Sequence, residues 1–394
     1  SKKMRLGDCG KTNLHTYSDK EKWSLIRYLD TGSITEGRID EIQTLYPGVD
    51  KIPSRARRKA SVGDILFSTV RPNQKHYGII EAGTENLLVS TGFTVVTVDT
   101  TIADPYFIYY YLTQSSVIES LQAIAEQSTS TYPSIKPSDI EDIELDLPEL
   151  ETQKKIGSTL RMLDRKIALN EEINDNLEQQ AQSYFQELFV DNADPEWTTG
   201  TISDLGTVVG GSTPSKAKPE YYTESGIAWI TPKDLSNNKS KFVSHGENDI
   251  TELGLRNSSA SIMPEGTVLF SSRAPIGYIA IAAGEVTTNQ GFKSVVPKPE
   301  IGTPFVYFFL KNTLPVIEGM ASGSTFKEVS GSTMKNVPAV IPDAETLAKF
   351  SDFCAPIFAQ QRILEEQNQS LATLRDNLLP KLMSGEIDVS AVQL

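Results

Sequence analysis

Two stretches of the chain place hydrophobic residues in alternating steps of four and three. In the first, Ile156, Leu160, Leu163, Ile167, Asn170, Asn174, Leu177, Ala181, Tyr184 and Leu188 fall on one seam. Adding 194 to each number gives Phe350, Cys354, Ile357, Gln361, Leu364, Asn368, Leu371, Arg375, Leu378 and Leu382, a weaker seam of the same phase. A heptad seam sustained this long predicts a coiled-coil helix. The first helix should open after Pro148 and run to about Phe189, and the second should stop at Ser384-Gly385. Each helix has one apolar stripe and the stripes repeat one another, so their simplest packing is together. Asparagine on a seam costs stability but fixes register. Asn174 and Asn368 hold equivalent positions, which predicts that they meet in an antiparallel pair related by an approximate two-fold axis.

The repeat extends beyond the helices. Residues 129–189 and 323–383 align without a gap, from Ser130-Thr131-Tyr132 against Ser324-Thr325-Phe326 to the helix ends. Upstream, Asp64-Ile65-Leu66-Phe67-Ser68-Thr69 matches Thr267-Val268-Leu269-Phe270-Ser271-Ser272, and Thr91-Gly92-Phe93 matches Gln290-Gly291-Phe292. Short β-branched runs bounded by Gly, Pro, Asn and Asp predict strands over 64–69, 87–90 and 94–98. The aromatic runs Tyr106–Leu112 and Phe305–Leu310 are apolar all round, which predicts buried helices. The expected organisation is a globule over 1–147, a helix and linker over 148–195, a second globule over 196–341, and a helix with tail over 342–394. The fold class is α+β. At 394 residues the chain exceeds what one core supports.

Charge changes the picture only when divided by segment. The net of −14 splits into −4 for residues 1–147, −5 for 148–195, −1 for 196–341 and −4 for 342–394. The helices thus hold most of the excess, and the globules are near balance with local basic clusters. A low overall charge does not exclude a polyanionic target, because placement decides. Cys9 and Cys354 lie in opposite halves, an argument for a reducing compartment. With no secretory leader and no long apolar run read, a cytoplasmic protein is expected. The histidines His15, His76 and His245 have no ligand-like spacing, so no metal site is expected. Phosphate-loop, dinucleotide and nucleophile-elbow signatures are missing, so no catalytic residues are assigned.

Basic and amide side chains mark two candidate surfaces. In the first globule, Arg55, Arg57, Arg58 and Lys59 form one cluster before a strand, and Arg71, Asn73 and Lys75 follow that strand. In the second, Thr213, Lys216, Tyr222, Lys233, Arg273 and Gln290 are scattered through polar, turn-rich segments. Arginine and lysine suit phosphates and guanine edges, and Asn or Gln pairs bidentately with adenine. Arg71 and Arg273 follow equivalent strands. Residues 10–60 and 207–262 differ most, as expected of two unlike half-sites. Pro275-Ile276-Gly277 reads as a turn and residues 288–292 as a polar loop.

An ordered set of motifs then resembles the specificity subunit of type I restriction–modification enzymes. It comprises Gly210-Gly211-Ser212-Thr213-Pro214, Trp229-Ile230-Thr231-Pro232-Lys233-Asp234-Leu235, Ser271-Ser272-Arg273-Ala274-Pro275-Ile276-Gly277, Thr288-Asn289-Gln290-Gly291-Phe292, Gly323-Ser324-Thr325-Phe326, and the closing Leu378–Glu386 segment. The first globule departs from the Gly-x-Thr-Pro pattern. The resemblance implies two target recognition domains, each reading half of a split DNA site, and an antiparallel coiled coil acting as a ruler. It also implies double-stranded DNA, two methyltransferase subunits and two restriction–translocase subunits as partners. S-adenosylmethionine, ATP and Mg²⁺ would belong to those partners. The chain itself would be non-catalytic. A coiled-coil adaptor that does not read DNA is the other reading, and the basic clusters discriminate the two.

Overall fold

The computed structural model describes residues 2–392. The chain forms two compact units. One comprises the chain up to Ile167 together with the chain from Ser370 onward, and the other is Ala168–Gln369. The units cut across the four segments read from sequence, because each takes one half of either long helix. Those helices span Leu150–Gln186 and Ala344–Met383, and Gly385 stops the second with φ of +76°. A short wider-pitched turn, Glu187–Asp191, ends the first.

Both globules are α+β and are built on the same plan. In the first, the strands Gly10–Thr12, Phe93–Val98, Ile65–Ser68 and Tyr77–Ile79 make an antiparallel sheet in that order. In the second, Gly206–Gly210, Lys293–Pro297, Val268–Ser272 and Ile276–Ala282 repeat it. Each globule adds a four-stranded sheet with one parallel pair: Leu87–Ser90 beside Ile26–Leu29, and Thr287–Thr288 beside Ile227–Ile230. The aromatic helices are core, with Phe107, Ile108, Tyr109, Tyr110 and Phe305 through Leu310 all buried. Two sequence expectations are corrected. Ile276-Gly277 belongs to a strand, and the turn falls earlier, where Ala274 has φ of +49°. Of the 288–292 loop only Asn289 and Gln290 reach outward, since Phe292 packs in the core.

The seam residues of both helices turn inward, and the pairing is antiparallel within each unit. In the second unit Asn170 meets Asn368, Gln361 donates to the Asn174 carbonyl, and the Tyr184 and Phe353 rings lie 4.5 Å apart. In the first unit Arg375 pairs with Asp164 at 2.7 Å. The contact seen at Asn368 comes from one turn earlier on the first helix, where the side chain of Asn170 donates to it at 2.8 Å. Equivalent residues of an antiparallel pair coincide only at the two-fold axis, and Asn174 and Asn368 both lie just beyond it.

Each globule is fastened to the helix segments of its own unit. In the first, Gly157 touches the start of the helix Pro105–Leu112, where a Cβ would meet Asp104 Oδ1 at 2.6 Å and the Phe107 nitrogen at 3.0 Å. Alanine in a helix ordinarily gains about 1 kcal/mol over glycine. Here the methyl must displace a capped backbone, so Gly157→Ala is expected to lose about 1–3 kcal/mol. Urea unfolding measures this, and a raised midpoint would contradict the packing.

In the second unit the fastening is ionic. Lys241, only 8% exposed, contacts Glu178 at 2.6 Å and Gln361 at 2.8 Å, and lies over the Phe358 ring at 3.5 Å. Lys311 approaches the same carboxylate at 2.8 Å, and Tyr307 donates to it at 3.0 Å. Burial works against the Glu178 charge, but the two ammonium groups overcome it and hold the carboxyl at about 2. Burial pushes the Lys241 ammonium down to about 8, offset in part by Glu178. Both members of the pair are therefore charged near neutral pH.

Candidate nucleic-acid interface

All six candidate residues of the second globule line one concave groove of about 740 Å³: Thr213, Lys216, Tyr222, Lys233, Arg273 and Gln290. Sequence separation hides this convergence and local backbone contacts create it. Gly211 lies so close to the facing strand that a Cβ would meet the Asn289 carbonyl oxygen at 2.0 Å. That approach lets the Ser212 nitrogen donate to Thr288 at 2.9 Å, and Thr213 then bonds Gln290. Trp229 donates to the Ser212 carbonyl at 3.0 Å, and the Tyr222 hydroxyl donates to the Pro214 carbonyl at 2.5 Å. Thr231 caps the short helix Pro232–Asn237, which carries Lys233. Arg273 follows the strand Val268–Ser272.

The groove offers arginine, lysine, amide and hydroxyl groups along an aromatic wall. Trp229 is buried at 5% exposure, so it forms the wall and is not a stacking platform. Lys233 pairs with Glu247 at 3.3 Å and Arg273 with Glu328 at 3.8 Å, both at exposed positions. Exposed pairs of this kind are worth about 0–1 kcal/mol, so a phosphate can displace them. Asn248 and Asn289 also line the groove and were not among the sequence candidates. Asn289 lies in the polar loop read at 288–292, whereas nothing local marks Asn248, which opens the strand Asn248–Ile250.

The first globule places its candidates differently. Arg57, Arg58 and Lys59 lie on a strand, Ala56–Lys59, not in a segment ahead of one, and this strand pairs antiparallel with Leu87–Ser90. Arg55 stands exposed just before it. Strand alternation sends neighbouring side chains to opposite faces. Arg57 accordingly pairs with Asp19 at 2.6 Å, Lys59 with Glu21 beside Trp23, and Arg58 is half-buried. Asn73 lies in the 3-10 turn Pro72–Gln74 and Arg71 and Lys75 flank it, with Lys75 on Glu36 at 2.7 Å and Arg71 over the Tyr132 ring at 5.1 Å. Both clusters reach the turn at 90–92: Thr91 donates to the Arg55 carbonyl, and Thr69 donates to the Gly92 carbonyl. The second globule repeats the latter bond as Ser272 donating to the Gly291 carbonyl.

Cys9 and Cys354 are free and buried, which pushes both thiols up, to about 11 and about 12. Among the described residues no helix is long and apolar enough to cross a membrane, and no acidic, histidine or cysteine group could hold a metal ion.

The family model for the type I restriction modification DNA specificity domain matches residues 52–179 and 195–374. The HindI specificity subunit of Haemophilus influenzae is 25% identical over 461 residues, covering 98% of this chain and 99% of that one. The MjaIX specificity subunit of Methanocaldococcus jannaschii is 39% identical over 194 residues, 47% of this chain and 45% of its own length. Among solved structures, the S subunit of a type I restriction-modification system from M. genitalium shares the fold, with a TM-score of 0.60 at 17% identity, covering 97% of this chain and 95% of that one. Matched over most of its length by the family model, this chain belongs to the type I restriction-modification specificity subunits, the proteins that supply DNA sequence recognition.

Proposed function

We propose that each globule reads one part of a two-part, asymmetric DNA site and that the paired helices set the distance between the parts. The observation that carries this reading is the convergence of six sequence-distant polar residues on one groove of the second globule. Duplication supports the two-part site: the scaffolds match, while residues 10–60 and 207–262 present unlike loops. The acidic helical segments suit protein docking better than DNA contact. Methyltransferase subunits dock there, and restriction–translocase subunits join them. S-adenosylmethionine, ATP and Mg²⁺ act on those partners, and the chain itself contributes recognition without catalysis.

The test lengthens both helices. One heptad inserted beside Asn170 and one beside Asn368 preserves the seam and adds about 10 Å of helix. That length corresponds to about three base pairs at roughly 3.4 Å per pair. Methylation mapping should then find the same two half-sites with a spacer longer by about three base pairs. An unchanged spacer would refute the ruler, and altered half-sites would refute separate reading.

A further inference from the structure

Each globule carries a loop with an aromatic ring held in the open. Tyr132 is 56% exposed and Phe326 84% exposed, at positions related by the same offset of 194 that relates the helices. The loops are pinned alike: Ile135 donates to the Thr69 carbonyl at 2.8 Å, and Val329 donates to the Ser272 carbonyl at 3.0 Å. Ser272 closes the strand leading to Arg273, and Thr69 directly follows the strand leading to Arg71. Arg71 lies over the Tyr132 ring at 5.1 Å, and Arg273 shares with Phe326 a groove of about 640 Å³. Arg273 and Ala274 also line the reading groove, so the two depressions adjoin there.

We propose that Tyr132 and Phe326 are sequence-independent DNA contacts, each packing its ring against the duplex beside the bases its globule reads. The inference rests on the reading that the globules meet DNA. Where the recognition loops of the two globules are unlike, these rings and their arginines are alike. A feature common to two readers of different sequences fits what both half-sites share, the sugar–phosphate walls of the duplex. The surroundings match that chemistry. Lys327 and Arg273 flank Phe326, and the hydroxyls of Thr131, Ser324 and Thr325 are of the type that donates to phosphate oxygens. Glu318 and Glu328 also border the groove, and Glu328 holds Arg273 and Lys293 only loosely, at 3.8 and 3.9 Å. Sugar and backbone contacts of this kind carry no sequence information directly, so an apolar ring packed on them serves either half-site.

The experiment uses the chain assembled with its methyltransferase subunits and compares Tyr132→Ala, Phe326→Ala and the double variant. Affinity is measured for a cognate duplex and for one with both half-sites scrambled. Each ring lost should weaken both affinities about ten-fold, near the low end for burying one aromatic side chain, leaving their ratio unchanged. Tyr132→Phe and Phe326→Tyr should restore binding. Unchanged affinity overturns the proposal, as does a loss confined to the cognate duplex, which would mean base reading. Loss of methyltransferase co-elution in size-exclusion chromatography also overturns it, by making the rings protein contacts. Gln290→Ala and Asn248→Ala are run alongside. If they change base preference while the ring variants do nothing, only this inference fails; if neither set affects DNA, the reading of the grooves fails as well.

Discussion

Replacing Glu178 with leucine is expected to destabilise the second unit by about 3–5 kcal/mol, the usual cost of leaving a buried charge without its partner. Glu178 answers Lys241 and Lys311 together, and Lys241 is almost fully buried beneath the Phe358, Tyr307 and Phe308 rings. The carboxyl gives a second measure of the interaction. Its pKa falls from 4.5 to about 2, which at about 1.4 kcal/mol per unit amounts to about 3 kcal/mol. Because the folded value lies below the unfolded one, this stability is fully present above about 4.5 and is lost as pH falls toward about 2. Urea unfolding at pH 7 and at pH 3 should therefore show a gap between wild type and Glu178→Leu that narrows in acid. Adding Lys241→Met to Glu178→Leu should recover much of the loss, since an apolar pair of similar volume removes the unpaired charge. A single variant as stable as wild type at pH 7 would show that the ion cluster does not fasten globule to helix.

That cluster also marks where sequence reading stops. The helices were legible because a period of 3.5 residues is a one-dimensional signal, and all seam positions from Ile156 to Leu188 do turn inward. Strands 65–68 and 87–90 were legible as short apolar runs. The strand Ala56–Lys59 was not, because three of its four residues are basic and only its pairing with Leu87–Ser90 reveals it. Lys241 precedes a two-residue strand with nothing to mark it as buried, and its partner Glu178 lies on a helix 63 residues away. Tyr132 and Phe326 stood out as repeats, yet exposure is a property of the fold and not of the motif. The groove shows the same limit from the other side. Its six candidates were chosen by residue type, and only the approach of Gly211 to the Thr288–Asn289 backbone assembles them.

Removing the groove's cations together should show whether that assembly meets a phosphate backbone. In the complex with its methyltransferase subunits, Lys216→Ala, Lys233→Ala and Arg273→Ala combined are expected to weaken DNA binding about 100-fold or more at physiological salt. Each phosphate contact releases counterions worth about 0.9 in the slope of log affinity against log salt, so the slope should flatten by about 2–3. These cations neutralise phosphates on any sequence, so cognate and scrambled duplexes should suffer alike. Gln290→Ala should behave oppositely. An amide that reads a base edge contributes discrimination of about 1–3 kcal/mol and no charge, so base preference should relax while the salt slope stays fixed. Gln290 stands exposed at the turn where Thr213 meets it, so its loss leaves no buried group unpaired. A triple variant with an unaltered salt slope would mean that no phosphate sits in the groove, and the Gln290 result would then decide whether bases are read there at all.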